Sequence, residues 1–312
     1  MAALWERLCL RRNKIIEEAA MTGEFKKWPE SSWTSDAIQW KKTDKIAAGV
    51  DIGTTSSQAA VFVDGQLFGY ASIRTGSDFR GAADAVIQKA LGSSGMAVKD
   101  IGAVVATGFG DKNVTYATQS RSEILCIAKG ARYLFGPSVT TVVDMGGQTT
   151  KAIRLYEWDR VRDFKISDKC ATGMGRHIEV AAEILRTPLT EMGEKSLDVA
   201  FDPEPVSTTC YNFAYPEAAG LFRQGYKEDT YKENDVLAAY LFTVAWRILG
   251  TVGKLAPLDV GDMTVEKELG LTGGLAKNKG ITRRVERELN MTALTSAYDP
   301  QLAGAIGAAL FA

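Results

Sequence analysis

The chain has 312 residues, 46% hydrophobic and 24% charged, and its 37 Lys and Arg against 38 Asp and Glu leave a formal net charge of −1. Such a composition excludes disordered, collagen-like and disulfide-scaffold proteins, and the charge balance argues against nucleic acid or an anionic membrane held by bulk charge. Cys9, Cys126, Cys170 and Cys210 are too few for a secreted scaffold and are not spaced as a local zinc site. The 30 glycines are slightly above the usual share, and their positions matter more than their number.

Charges interrupt residues 1–20 every few positions, so this segment has neither the apolar run of a signal peptide nor the length of a membrane span. Trp5, Leu8, Ile15 and Ile16 with Glu6, Arg12 and Glu17 fit an amphipathic helix. A polar stretch with Trp28, Trp33 and Trp40 follows. Its tryptophans either cover the protein's own surface or form a docking arm for a partner subunit. The lack of an export signal predicts a cytoplasmic protein with reduced thiols.

From Lys45 the pattern changes to IAAGVDIGTTSSQAAVFVDGQLFGYASIRT. This predicts a strand over 46–51, a glycine turn, a strand over 57–63, an Asp64-Gly65 hairpin turn and a third strand. A helix over 82–91, a strand over 101–107 and a helix over 122–134 follow. The opening pattern then recurs as SVTTVVDMGGQTTKAI, with Asp144 standing 93 positions after Asp51. Such a duplication predicts two related α/β lobes facing each other across a cleft. Helices are expected over 176–185 and 236–249, a strand over 269–272 leading into Gly273-Gly274, and a helix over 278–289. The closing PQLAGAIGAALFA predicts a small-residue helix suited to close packing. The expected division is an arm over 1–45, a first lobe over 46–137 and a second over 138–312, with the last helix free to pack back on the first lobe.

Two aspartates at strand ends, each followed by glycine and hydroxyl residues, suit a nucleoside triphosphate with its magnesium. A glycine turn lets backbone N–H groups approach phosphate oxygens with no Cβ in the way. Gly53, Thr54 and Thr55 form one such turn, and Gly146, Gly147 and Gln148 the other. Asp51 and Asp144 would hold Mg²⁺ through water, since magnesium keeps much of its hydration shell. No GxxxxGK[ST] motif is present. The three glycine motifs resemble those of the actin, hexokinase and heat-shock-protein-70 ATPase superfamily. That resemblance implies an α/β fold of two ribonuclease-H-like lobes with ATP between them, and Gly273, Gly274 and Asn278 bordering the adenosine.

Cys170 lies in KCATGMGRHIE, before a predicted helix N-terminus that favours thiolate, and Cys210 lies in STTCYNFAYPE. Two cysteines are half of a four-thiolate site; they are either inert core thiols or ligands that a second subunit completes. The local sequence is similar to that of the BadF/BadG/BcrA/BcrD ATPases. These activate 2-hydroxyacyl-CoA dehydratases or serve as ATP-binding subunits of benzoyl-CoA reductase. Besides both cysteine segments, SEILCIAKGA, VVDMGGQTTKAI, TVAWRI and TGGLAKNKGITRRVERELN carry the resemblance, which covers residues 46–312. It implies that Cys170 and Cys210 ligate one 4Fe–4S cluster shared across two subunits, and that Glu123 faces the cleft and orients water. As a helix-start carboxylate, Glu123 could equally serve the macrodipole.

The chain departs from the activator pattern at Thr149, Ile127, Asp111 and Tyr215-Pro216. With the added arm, these departures point to a subunit of a larger complex: a class I benzoyl-CoA reductase that couples ATP hydrolysis to low-potential electron delivery. The partners implied are a homologous ATPase subunit sharing the cluster, substrate-reducing subunits with further iron–sulfur clusters, and a low-potential ferredoxin as donor. No nucleic acid or membrane partner is implied. The alternatives are a homodimeric dehydratase activator, an N-acetylglucosamine-type sugar kinase and, more distantly, an actin-like assembly protein. His177, the only histidine, is expected to pack; Cys126 and Cys9 are expected to be a buried helix thiol and an arm thiol.

Overall fold

The computed structural model describes residues 26–43, 45–156, 160–167, 173–207, 211–228, 232–255 and 268–312. The helix expected over 1–20 and Cys9, Cys170 and Cys210 lie outside the described residues. The chain divides into two compact units. One comprises Glu30–Gly175, Arg247–Lys277 and Thr282–Ala312; the other comprises Arg176–Trp246 and Asn278–Ile281 with residues 26–29.

Ten strands are described: β1 (Ser31–Thr34), β2 (Ile46–Ile52), β3 (Ser56–Val63), β4 (Gln66–Arg74), β5 (Ala103–Thr107), β6 (Gln119–Ser120), β7 (Thr141–Met145), β8 (Thr150–Leu155), β9 (Val161–Ile166) and β10 (Leu269–Thr272). The α-helices are α1 (Phe79–Leu91), α2 (Glu123–Phe135), α3 (Met174–Ile184), α4 (Leu189–Lys195), α5 (Tyr211–Glu228), α6 (Glu233–Val252), α7 (Lys279–Leu289) and α8 (Ala303–Ala309).

All ten strands belong to the first unit, in two mixed sheets of order β1-β4-β3-β2-β5-β6 and β10-β7-β8-β9. In each, three sequential strands run antiparallel and a later strand joins the first of them in parallel, which is the ribonuclease-H-like arrangement. The β3–β4 hairpin turns at Asp64-Gly65 with φ of 49° and 77°, the paired left-handed geometry that matches strand twist. Both faces of the first sheet are covered, so β3 is a nearly unbroken apolar run. Ala59, Val61 and Val63 pack toward α1, whereas Ala60 and Phe62 pack toward α8. On the second sheet, Ile124, Ile127, Ala128 and Ala131 of α2 cover Val142 and Ile153.

Glycine permits the closest of these contacts. A Cβ on Gly130 of α2 would lie 1.8 Å from the Ala303 carbonyl oxygen, and one on Gly307 of α8 would lie 1.7 Å from that of Cys126. The AGAIGAA helix therefore meets α2 backbone to backbone.

Several elements were not predicted from the sequence, β6, β9 and α4 among them, and β1 and α5 show why. β1 falls in the polar Trp-rich stretch, where pairing with β4 rather than periodicity makes the strand. Trp33 packs on Tyr70 with ring centroids 5.9 Å apart and the rings tilted by 32°, and Trp40 Nε1 donates to the Ser94 carbonyl at 3.1 Å. These two tryptophans cover the protein's own surface. α5 contains Pro216, which as a helix breaker hides it from a pattern search. α1 begins at Phe79, ahead of the predicted start, because Asp78 Oδ1 accepts from Gly81 N–H at 2.9 Å and caps it.

The second unit is helical among its described residues. His177 is buried and hydrogen-bonded to the Tyr240 hydroxyl of α6. α6 is long and apolar enough by composition to cross a membrane, but 72% of its apolar window is buried in the protein, which marks it as a core helix.

Candidate functional site

The site is built where strands of both sheets end. β2 ends on Asp51-Ile52, and the turn after it closes with Gly53 N–H donating to Ser56 O at 3.1 Å. Thr75 Oγ1 donates to Gly53 O at 2.8 Å and holds this turn from β4's end. β7 ends on Asp144-Met145, and Gly146 N–H donates to Thr149 O at 3.0 Å to close the equivalent turn. The two turns touch: a Cβ on Gly147 would lie 2.2 Å from Thr55 Oγ1. Gly175 N–H, at the start of α3, donates to Gly147 O at 2.9 Å. The structure thus brings Gly53, Thr54, Thr55, Gly146, Gly147 and Gln148 into one neighbourhood. Turns of this kind present backbone N–H groups to anionic oxygens.

The carboxylates differ in their surroundings. Asp144 is buried; its Oδ2 accepts from Lys151 Nζ at 3.1 Å and its Oδ1 from Thr272 Oγ1 at 3.0 Å. Lys151 Nζ also pairs with Glu123 Oε1 at 2.8 Å. Burial works against the Lys151 ammonium, but Asp144 and Glu123 outweigh it and hold its pKa above the ordinary lysine value. Asp51 accepts no hydrogen bond among the described residues. Its oxygens rest against glycine, since a Cβ on Gly304 would lie 1.9 Å from Oδ2 and one on Gly108 2.2 Å from Oδ1. Burial and then the charge of Glu123 raise its pKa, Lys151 opposes, Asp144 adds, and the result is about 7.

Gly273 follows β10 with φ 83° and packs over the strand before the second turn: a Cβ there would lie 2.5 Å from Met145 O. Its carbonyl accepts from Ala276 N–H at 3.2 Å, so Gly273-Gly274 leads into a short 3₁₀ turn over Gly274–Lys277. Lys277 pairs with Asp299 at 2.5 Å beside it. Asn278 belongs to the other unit. It is buried, its Oδ1 accepts from Ile281 N–H at 3.2 Å, and its Nδ2 has no partner among the described residues.

Lys151, Thr272, Gly108 and Gly304 received no site role from the sequence, although Lys151 lies in VVDMGGQTTKAI, Thr272 opens TGGLAKNKG and Gly304 lies in the closing PQLAGAIGAALFA. The 93-residue repeat held a signal for one of them: applied to neighbouring strands, it aligns Lys151 with Gln58. Thr272-Gly273 matches Thr107-Gly108 on the parallel neighbour only in the fold, because they stand 165 residues apart rather than 93. Cys170 and Cys210 lie outside the described residues, and among those described no three His, Cys, Asp or Glu side chains cluster to hold a metal ion. Cys126 is buried in α2, where desolvation pushes its thiol up to about 11.

A family model described as the BadF/BadG/BcrA/BcrD ATPase family matches residues 48–312. The activator of lactoyl-CoA dehydratase from Anaerotignum propionicum is 37% identical over 85% of this chain and 96% of its own length. A benzoyl-CoA reductase subunit from Thauera aromatica is 29% identical over 85% of this chain and 92% of its own. Among solved structures, the activator of the 2-hydroxyisocaproyl-CoA dehydratase from Clostridium difficile with bound ADPNP superposes with a TM-score of 0.74 at 32% identity. That superposition covers 86% of this chain and 94% of the other.

Proposed function

The chain belongs to the BadF/BadG/BcrA/BcrD ATPase family, and from that premise we propose that it is the ATP-hydrolysing electron-transfer subunit of a benzoyl-CoA reductase. The contact of Thr55 with Gly147, which joins two glycine turns beside three carboxylates, is the observation that carries the ATP site. The likeness to the ADPNP-bound activator supports the same ligand. In this reading the Gly53–Thr55 and Gly146–Gln148 turns hold phosphate oxygens, and Gly273, Gly274 and Asn278 border the adenosine.

Mg²⁺ suits the donor set. Asp51 is a carboxylate with no hydrogen-bond donor among the described residues, and burial pushes it up to about 7, an arrangement that a cation would relieve. When bound, Mg²⁺ supplies charge neutralisation at the phosphates. Asp51 and Asp144 would hold it through water, and Glu123 would orient the attacking water from the start of α2. Cys170 and Cys210 fit one 4Fe–4S cluster as half of its four thiolates, completed by a homologous ATPase chain. Held there, such a cluster would supply low-potential electron-transfer chemistry, and the partners this implies are a ferredoxin-type donor and substrate-reducing subunits. Hydrolysis drives that transfer only if the nucleotide states differ in their interactions with two conformations of the chain. A cytoplasmic setting accords with such thiolate ligands.

β1 and the stretch around it lie ahead of the residues that the family model matches, and they support a subunit built into a heteromeric complex. Greater identity to dehydratase activators supports a second reading, a homodimeric activator of a 2-hydroxyacyl-CoA dehydratase. Anaerobic co-purification with the products of neighbouring genes, followed by iron and sulfide analysis and assay on both acyl-CoA classes, separates the two. The reductase reading expects one cluster per two ATPase chains, lost in Cys170→Ser or Cys210→Ser, with ATP-dependent reduction of benzoyl-CoA. Dehydratase activation by a partner-free dimer would replace it with the second reading, and an iron-free monomer that phosphorylates a sugar would end both.

A further inference from the structure

Lys151 lies in the VVDMGGQTTKAI segment, where it received no role from the sequence, yet it joins the most charges in the site. Its side chain is 7% exposed, and its ammonium lies 2.8 Å from Glu123 Oε1 and 3.1 Å from Asp144 Oδ2. Those partners come from the first residue of α2 and from β7, so one cation ties a helix start to a strand end. It sits below the second glycine turn, 3.9 Å from where a Cβ on Gly146 would be. Both oxygens of Asp144 are thereby engaged, one by Lys151 and one by Thr272. Glu123 keeps 38% of its side chain exposed. Asp51 receives no donor from any described residue.

The geometry points to Lys151 as the positioning residue that divides the work of this cluster. By pairing with Asp144 and Glu123, it aims Glu123 at the attacking water and leaves Asp51 as the carboxylate open to the nucleotide's divalent cation. The assignment rests on the ATP-site reading above and refines it, since the two aspartates no longer share the cation equally. Its physical basis is pre-organisation: a long carboxylate side chain pinned by a buried ammonium need not be oriented at the moment of reaction.

The test uses the anaerobically purified complex and four variants: Lys151→Met, Lys151→Arg, Glu123→Gln and the Lys151→Met/Glu123→Gln double. ATP hydrolysis gives kcat and KM, and Mn²⁺ binding in the presence of ADPNP is followed by electron paramagnetic resonance. Lys151→Met is expected to lower kcat by about tenfold or more, with KM for ATP and the Mn²⁺ affinity within about threefold. Lys151→Arg should restore most of the loss. The double variant should be no slower than the worse single, because both act through one carboxylate. It also guards against misfolding, since it removes the buried cation together with a partner. Full activity in Lys151→Met beside a slow Glu123→Gln would overturn the assignment alone. Multiplied losses in the double, or a tenfold fall in Mn²⁺ affinity in Lys151→Met, would also overturn it. An unimpaired Glu123→Gln would remove the water-orienting role itself, and the assignment with it.

Discussion

The tips of β2 and β7 are copies of one design that carry different chemistry. Each ends on an aspartate followed by a glycine turn, and each aspartate has a threonine beside it on the parallel neighbour: Thr107 for Asp51 and Thr272 for Asp144. Both threonines precede a left-handed glycine, Gly108 at φ 84° and Gly273 at φ 83°. Across the antiparallel neighbour, however, Asp51 faces Gln58 where Asp144 faces Lys151. Gln58 Nε2 donates to Ser56 Oγ at 2.9 Å and Ser72 Oγ at 3.1 Å, and Thr107 Oγ1 donates to Arg121 O at 3.0 Å. Both donors that the second copy turns on its aspartate are thus engaged elsewhere in the first. The backbone repeats, but the cross-strand residue differs, so Asp144 pairs with a buried ammonium whereas Asp51 accepts no hydrogen bond among the described residues.

The largest expected effect comes from removing the open carboxylate. Asp51→Asn should cut Mg²⁺-supported ATP hydrolysis by about a hundredfold or more, the scale of losing a group that faces developing charge. Steady-state assays over a Mg²⁺ titration check it; a loss confined to Asp144→Asn would invert the comparison. A smaller effect should follow from making the first copy resemble the second. Gln58→Lys puts an ammonium across from Asp51 in the register that Lys151 occupies, and directly opposed side chains on one face lie within reach of each other. A charged hydrogen bond of that kind competes with the cation and should weaken Mn²⁺ binding with ADPNP by roughly tenfold. Unchanged Mn²⁺ affinity would mean that the cross-strand residue does not set the difference.

Glu123 was singled out only through the family resemblance, whereas the glycine turns and both aspartates were legible because each lies in a contiguous motif whose chemistry is local. Lys151 and Thr272 were not, because what makes them matter is register: Lys151 follows Asp144 by seven residues and Thr272 by 128, and only the sheet puts both on its carboxylate. Gly304 is more distant still. Its contact with Asp51 depends on α8 packing against β2, which a small-residue helix permits but does not announce. The same holds for β1, a strand only by pairing, and for α5, whose Pro216 contradicts local propensity. Patterns that repeat along the chain expose the architecture, whereas the electrostatic difference between its two halves arises from single residues at matched positions.

The smallest expected effect concerns stability, and it isolates Asp51 without any ligand. Its carboxyl titrates at about 7 in the folded protein against an ordinary value near 3.8, chiefly through burial and the nearby Glu123. Between those values the folded chain keeps a proton that the unfolded chain has lost, so stability must fall as pH rises through the window. Below it both states are protonated, and above it both are ionised, so the slope vanishes at either end. Thermal unfolding of the nucleotide-free protein from about pH 4.5 to 8 measures this against Asp51→Asn, which cannot ionise and should flatten that component of the slope. Gln58→Lys should flatten it too, since an ammonium opposite Asp51 favours the carboxylate and lowers its folded pKa. Asp144→Asn should reduce the slope only in part, because it removes the last-ranked of the causes that raise Asp51 and leaves burial and Glu123 in place. Equal slopes in the wild type and in Asp51→Asn would show that the two strand tips do not differ in charge as their neighbours require.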